Sequence, residues 1–365
     1  MKKYLLLFLS ICFLGNLFAQ YEFTMVYDCN CSPVKSQGNT GTCWSFATSS
    51  FLESELMRLG KPEYDLSEMY FVRTIYQKKA INYLLRQGKA QFSQGGLSHD
   101  VITAFKEGGA VPEEVFSGQL NGEASHDHSE MAAVLKGMLD ALVNKGKVSK
   151  KWSDGFVAVM DAYLGAPPAS FVYNGKNYTP KTFAEHLGIN PDDYVSFTSY
   201  NHHPFDQKII LEIPDNYANG SYFNVQIDDL LAITENAVKE GYSVAWDGDV
   251  SEKGFSAKNG VAILPTDFKR EALFEKPGEE EQVTQELRQK TFLDYTTTDD
   301  HLMHITGVAK DQNGTKYYYT KNSWGAISPF QGYVYMSENY FRLKTVGLMV
   351  NKNAIPDRIR KRLGI

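Results

Sequence analysis

Apolar and polar positions change their rhythm along the chain. Between Trp44 and Leu59, apolar residues at Trp44, Ala47 and Phe51, with Leu52, Leu56 and Leu59 beside them, recur at helical spacing, and Gly60 is a natural stop. This predicts a largely buried helix. The same period returns over Ser67 to Arg86, over His99 to Lys106 before Gly108-Gly109, and over Ser129 to Val143. From Tyr200 onward the pattern becomes strand-like. Lys208 to Ile213, Tyr242 to Trp246, His301 to Val308, Lys316 to Lys321 and Gly332 to Met336 are short and rich in β-branched and aromatic residues, with Gly, Asn or Asp turns between them. A helical lobe is therefore expected to precede a β lobe. The stretch between them holds the Ser129 helix and a Pro/Gly/Tyr-rich segment around Ala166-Pro167-Pro168, and reads as an insertion. The expected divisions are 1–20, 21–119, 120–199 and 200–365, with no internal repeat or low-complexity tract.

The first twenty residues follow another rule. Lys2 and Lys3 precede the uncharged, apolar run Tyr4 to Leu14, and Gly15 to Ala19 ends in a small residue suited to a signal peptidase, which predicts export to the periplasm or outside the cell. The run is shorter than the ~20 residues a spanning helix needs, and no later segment comes close, so a soluble mature chain without a membrane span is expected. Ile11 before Cys12, and Phe13 and Leu14 after it, do not suit lipidation. Composition narrows the function further. With 365 residues, 43% apolar and 22% charged, the chain can bury a substantial core, and it allows two domains or one large domain with an insertion. Lys+Arg 37 against Asp+Glu 43 gives −6, so no basic field points to nucleic acid or an anionic membrane.

Beyond that leader the cysteines are Cys29, Cys31 and Cys43. So few, and an odd number, means that the fold rests on its apolar core rather than on disulfides. Cys29 and Cys31 form either a strained bridge or two unpaired thiols, and Cys43 stands alone either way. In Gln37-Gly-Asn-Thr-Gly-Thr-Cys43-Trp44 the cysteine falls in the first turn of the expected helix, where unsatisfied N–H groups favour a thiolate. An isolated cysteine is more often a buried small hydrophobe, so its company decides. A nucleophile needs a base, and eight histidines are available. In Asp299-Asp-His301-Leu-Met-His304 two lie an odd number of residues apart on one strand, so alternation turns them to opposite faces. One of them, His301, is assigned to the site, and His304 is left as a surface or core residue. A second strand runs into Lys321-Asn322-Ser323-Trp324-Gly325, which offers an amide to hold an imidazole and an indole to shield that bond from water.

Gln37 six residues before Cys43-Trp44, then Leu66-Ser67-Glu68, Gly95-Gly96, His301 and Asn322-Ser-Trp-Gly325, in this order, resemble the papain superfamily of cysteine peptidases over most of the chain. Thr40 stands where ordinary members carry a disulfide cysteine. That departure, the insertion, Trp246-Asp-Gly-Asp249, Asp300 to His304 and Val350 to Ile365 resemble the bleomycin hydrolase and aminopeptidase C group. The resemblance implies an α+β papain-like fold of two lobes, helical and antiparallel β, with a cleft between them and an inserted helical subdomain. It also implies residue roles: Cys43 as nucleophile, His301 as base and then acid, Asn322 as its orienter, and Gln37 with the Cys43 N–H as oxyanion hole. Gly95, Gly96 and Trp324 would line the substrate path, although the glycine pair reads equally well as a loop turn. Asp247 and Asp249 read as a solvated turn. No metal or cofactor is implied; peptides are the implied substrates and a homo-oligomer, commonly a hexamer, the implied assembly. The expected function is that of an exported aminopeptidase. Only Asp357 to Ile365 follow Ile355-Pro356, which looks like a short form of the arm that closes the cleft in that group, and four cationic residues lie near its carboxylate. This makes an endopeptidase the alternative, with an inactive binding scaffold as a third reading.

Overall fold

A computed structural model describes residues 20–120 and 122–365; the expected export leader lies outside the described residues. The helical half contains α1 (Cys43–Arg58), α2 (Glu68–Leu85), α3 (Ser98–Gly108), α4 (Ser129–Lys145), α5 (Lys151–Leu164) and α6 (Pro180–Leu187). Four more helices lie in the second half: α7 (Ile227–Lys239), α8 (Gln285–Leu293), α9 (Glu338–Lys344) and α10 (Asp357–Leu363). The strands are β1 (Thr24–Asp28), β2 (Phe171–Tyr173), β3 (Lys176–Tyr178), β4 (Tyr194–Thr198), β5 (Gln207–Ile210), β6 (Ser221–Asn224) and β7 (Val244–Gly248). They continue with β8 (Phe255–Ser256), β9 (Val261–Ala262), β10 (His301–Lys310), β11 (Lys316–Lys321), β12 (Tyr333–Ser337) and β13 (Thr345–Asn351).

Apart from the β2–β3 hairpin, the strands form one eleven-stranded sheet in the order β5-β6-β4-β13-β7-β10-β11-β12-β9-β8, with β1 also on β10. Strand β10 is the axis. Its first half pairs with β7 on one side, β1 takes over from Gly307, and β11 runs along the other edge. It is buried from His301 to Ala309, as a strand packed on both faces must be. Leu302 of β10, Ala245 of β7 and Met349 of β13 meet Phe51 and Leu52 of α1 and Ile75 of α2 in one core. Met303, Ile305, Trp246 and Leu348 point the other way and are covered by Ile233 and Ala237 of α7 and Phe341 of α9.

The inserted stretch does not stand apart. Met131, Leu135 and Phe156 of α4 and α5 join the core of α1 and α2, and β4 pairs with β13 in the main sheet. The three cysteines beyond the leader are unbridged. Cys29 bonds the Val238 carbonyl at 3.8 Å, and Cys31 lies 2.9 Å from the Tyr333 hydroxyl. No described helix is long and apolar enough to cross a membrane.

Candidate active site

The loop before α1 is shaped by contacts from both lobes. Gln37 N–H donates to the Ser323 carbonyl at 2.8 Å and Gly325 N–H to the Lys35 carbonyl at 3.1 Å, which aligns Asn322-Ser-Trp-Gly alongside the cysteine loop. Gly38 has φ +64°, and a side chain there would strike the backbone of His126, so only glycine fits. The Gln37 amide donates to the Thr40 carbonyl at 2.6 Å and accepts from the Ser323 hydroxyl at 2.6 Å. From the other side Gln94 braces the loop. Its Oε1 accepts from Gly41 N–H at 2.8 Å, and its carbonyl takes the Trp44 indole N–H at 3.0 Å.

Cys43 is the first residue of α1, so its backbone N–H has no helical carbonyl to bond. Its side chain packs with Leu302, the residue after His301, whose backbone N–H bonds the sulfur. His301 Nε2 lies 2.7 Å from Asn322 Oδ1, which fixes Nε2 as the protonated nitrogen and leaves Nδ1 as the acceptor. Trp324 lies over this pair with ring centroids 4.7 Å apart and shields it from water. Burial governs both reactive groups. It pushes the Cys43 thiol up to about 12, against the Leu302 N–H, and it holds the His301 imidazole down to about 4, against the Asn322 bond. Burial thus disfavours the charged form of each group and works against the helix end that favours a thiolate. Such a pair can pass the thiol proton to Nδ1 while sulfur attacks a carbonyl.

The other residues singled out by the sequence fall as follows. Gly95 and Gly96 form a wall beside the cysteine loop: a side chain on Gly96 would press on the Trp44 indole, and one on Gly95 would strike the Asp215 carboxylate. Behind this wall the buried Lys79 ammonium donates to the Gly95 carbonyl. His304 is a core residue whose Nδ1 lies 2.8 Å from the Ser50 hydroxyl, two turns along α1 from Cys43. Asp247 and Asp249 are not in a solvated turn. Asp247 belongs to β7 and both side chains are buried, because β7 is a central strand and its end is covered by α9 and by Thr298. Asp215 and Asp299 were not singled out by the sequence, and no local pattern marks them. Among the described residues, His202, His203 and Glu212 are close enough to share a cation, but Glu212 already bonds both imidazoles at the surface.

A helix-borne thiol and a strand-borne imidazole and amide, brought together where a helical and a β lobe meet, define a papain-like cysteine peptidase. Residues 72–364 match the model of the Peptidase C1-like family, and the chain belongs to that family. Aminopeptidase C of Lactobacillus delbrueckii subsp. lactis is 24% identical over 90% of this chain and 81% of its own length. Bleomycin hydrolase of Mus musculus is 23% identical over 93% of this chain and 85% of its own. Among solved structures, PepW from Lactobacillus rhamnosis shares the fold with a TM-score of 0.73 at 21% identity, covering 93% of this chain and 84% of that one. The chain is a cysteine peptidase of the bleomycin hydrolase and aminopeptidase C type.

Proposed function

We propose that the chain is an exported aminopeptidase that works through an acyl-enzyme on Cys43. The observation that carries the chemistry is the buried His301–Asn322 bond of 2.7 Å beneath Trp324, one residue from the backbone that holds Cys43. His301 Nδ1 takes the thiol proton as sulfur attacks the scissile carbonyl. The oxyanion accepts from the Cys43 N–H and from the second Gln37 N–H, the first being used on Thr40. As the tetrahedral intermediate collapses, the C–N bond breaks and His301 returns the proton to the leaving amine. Water, deprotonated by the same imidazole, then hydrolyses the thioester. Gly95 and Gly96 give an extended peptide a wall it can approach closely.

Removal of single N-terminal residues is supported by the likeness to enzymes named aminopeptidase C and aminopeptidase G. The test compares an aminoacyl amide with its N-acetylated form. The free amine is expected to have the larger kcat/KM by at least about tenfold, a difference of roughly 1.4 kcal/mol; equal values reject the reading. One observation favours an endopeptidase instead: α10 is held by Arg358–Asp229 at 2.9 Å and Arg362–Asp206 at 3.0 Å, and Ile365 lines a 540 Å³ cavity with His99, Lys208 and Phe223. Export through residues 1–20 and assembly into a ring of copies belong to the same proposal; cell fractionation tests the first and light scattering the second.

A further inference from the structure

Three carboxyl groups from distant parts of the chain converge beside Cys43. Asp247 stands directly opposite Leu302 in the β7–β10 pair, and opposite residues share a face with Cβ atoms about 5 Å apart. Leu302 packs with Cys43, so Asp247 faces the same lobe interface. Asp299 precedes His301 by two residues and meets the Asp247 carboxyl at hydrogen-bonding distance. Asp215 lies over Gly95 on the glycine wall. All three lie near enough to the Cys43 sulfur for a negative charge on any of them to disfavour the thiolate.

Asp215 accepts from the Gln91 amide at 2.7 Å and the Ser93 hydroxyl at 3.4 Å, whereas Asp247 and Asp299 lack donors where their neighbours have them. Asp249 accepts from Ser251 N–H at 3.0 Å, Thr298 N–H at 3.1 Å and Lys344 at 3.3 Å, and Asp300 accepts from the backbone of Val250 and Ser251. Asp247 is only 4% exposed, and beyond the Asp299 carboxyl, with which it can share one proton, neither of its oxygens has a partner; Asp299 Oδ2 has no donor either. Buried polar atoms are nearly always bonded, and an unpaired buried carboxyl is costly. Lys79 is the nearby cation. It donates to the Gly95 carbonyl behind the wall and lies 3.5 Å from the Ser93 hydroxyl. Lys79 has the carboxyls of Asp100, Asp215 and Asp299 around it, so one ammonium faces three carboxyls, Asp247 lies outside that group, and an acidic excess remains. On its outer side Asp299 lines a recess of about 360 Å³ with Ile213, Pro214, Phe292 and Thr297.

We infer that Asp215, Asp247 and Asp299 form a subsite that binds a cationic nitrogen of the peptide next to the scissile bond. An ammonium brings three N–H donors and a positive charge, which is what this site is short of. The nitrogen is the α-ammonium of a substrate with one residue before the cleaved bond, and this assignment rests on the aminopeptidase reading. The other source of the same chemistry is a Lys or Arg side chain one residue further back.

The test is the ratio of kcat/KM for a free-amino peptide to that for its N-acetylated form, measured on wild type and on Asp247→Asn, Asp299→Asn and Asp215→Asn. Asp247→Asn removes the ionisable group while keeping the size and shape of the side chain, and Asp215 lies on a half-exposed loop, so at least one variant probes the site without threatening the fold. The ratio is expected to fall by about tenfold or more in the variants. If wild type prefers the free amine and every variant keeps that preference, the subsite is overturned and the aminopeptidase reading survives. A wild type that ignores the free amine but prefers N-acetyl peptides with Lys or Arg two residues before the cleaved bond, and loses this in the variants, supports the subsite and overturns the aminopeptidase reading. No charge preference of either kind overturns both.

Discussion

Two histidines three residues apart on β10 show how position divides one residue type into two roles. His301 bonds Asn322 beneath Trp324, whereas His304 bonds Ser50 in the fully buried contact between β10 and α1, held neutral by burial and by the Lys321 charge. His301→Ala is expected to lower kcat/KM by at least about three orders of magnitude with little change in stability. His304→Ala is expected to cost about 2–4 kcal/mol, through a cavity and the loss of the bond to Ser50, and to leave kcat/KM of the folded fraction within a few-fold. Activity assays beside urea denaturation check both, and equal losses of activity in two folded variants would contradict the division of roles. Gln37, Cys43, His301 and Asn322 were singled out in the sequence because each sits in a short local motif and the order of those motifs resembles a known family. Asp215 and Asp299 were not, since Asp215 meets Gly95 across more than a hundred residues and no spacing records that contact. For Cys43 the helix end is visible in the sequence, whereas the burial that works against a thiolate is not.

At the scale of elements, periodic runs were read well where one face or the whole circumference is apolar. The expected helix from Trp44 is α1, Ser67 to Arg86 is α2, and Lys316 to Lys321 is β11 to the residue. Helix α7 went unread even though Ile227, Leu230, Leu231, Ala237 and Val238 repeat at helical spacing and are all buried, because the strand texture around it dominated. Strands β1, β4 and β13 are short, and their place is decided by partners far along the chain. Two glycines that end helical stretches separate backbone strain from packing. Gly60 and Gly109 both have positive φ, +74° and +89°, but a side chain on Gly60 meets open space and one on Gly109 meets the Pro180 carbonyl where α3 abuts α6. Gly60→Ala is expected to cost about 1 kcal/mol and Gly109→Ala at least about 2 kcal/mol more, measured by urea denaturation. Equal costs would mean that the α3–α6 contact yields freely.

For the whole molecule, the site exists only where the lobes dock. The buried Lys321, next to Asn322, ties β11 to the first lobe through the Ser32 carbonyl at 2.6 Å and the Ser50 hydroxyl at 2.8 Å. The core on this side combines Cys43 and Phe51 with Leu302, Val346 and Met349, so both lobes shape one interior. A two-lobed α+β fold was legible from the change in texture near residue 200 and from the family resemblance, whereas the second helical layer over the sheet was not. This interface makes Cys43 the one thiol that attacks a peptide carbonyl, while Cys29 is buried against the Val238 carbonyl of α7 and Cys31 faces Tyr333, both away from His301 and Asn322. The most direct measurement is to treat the reduced protein with a peptidyl thiol-directed inhibitor and locate the label by mass spectrometry. A single adduct on Cys43, formed in step with the loss of hydrolysis, is the expected result; an adduct on Cys29 or Cys31 alone, or full labelling of Cys43 with turnover intact, would contradict it.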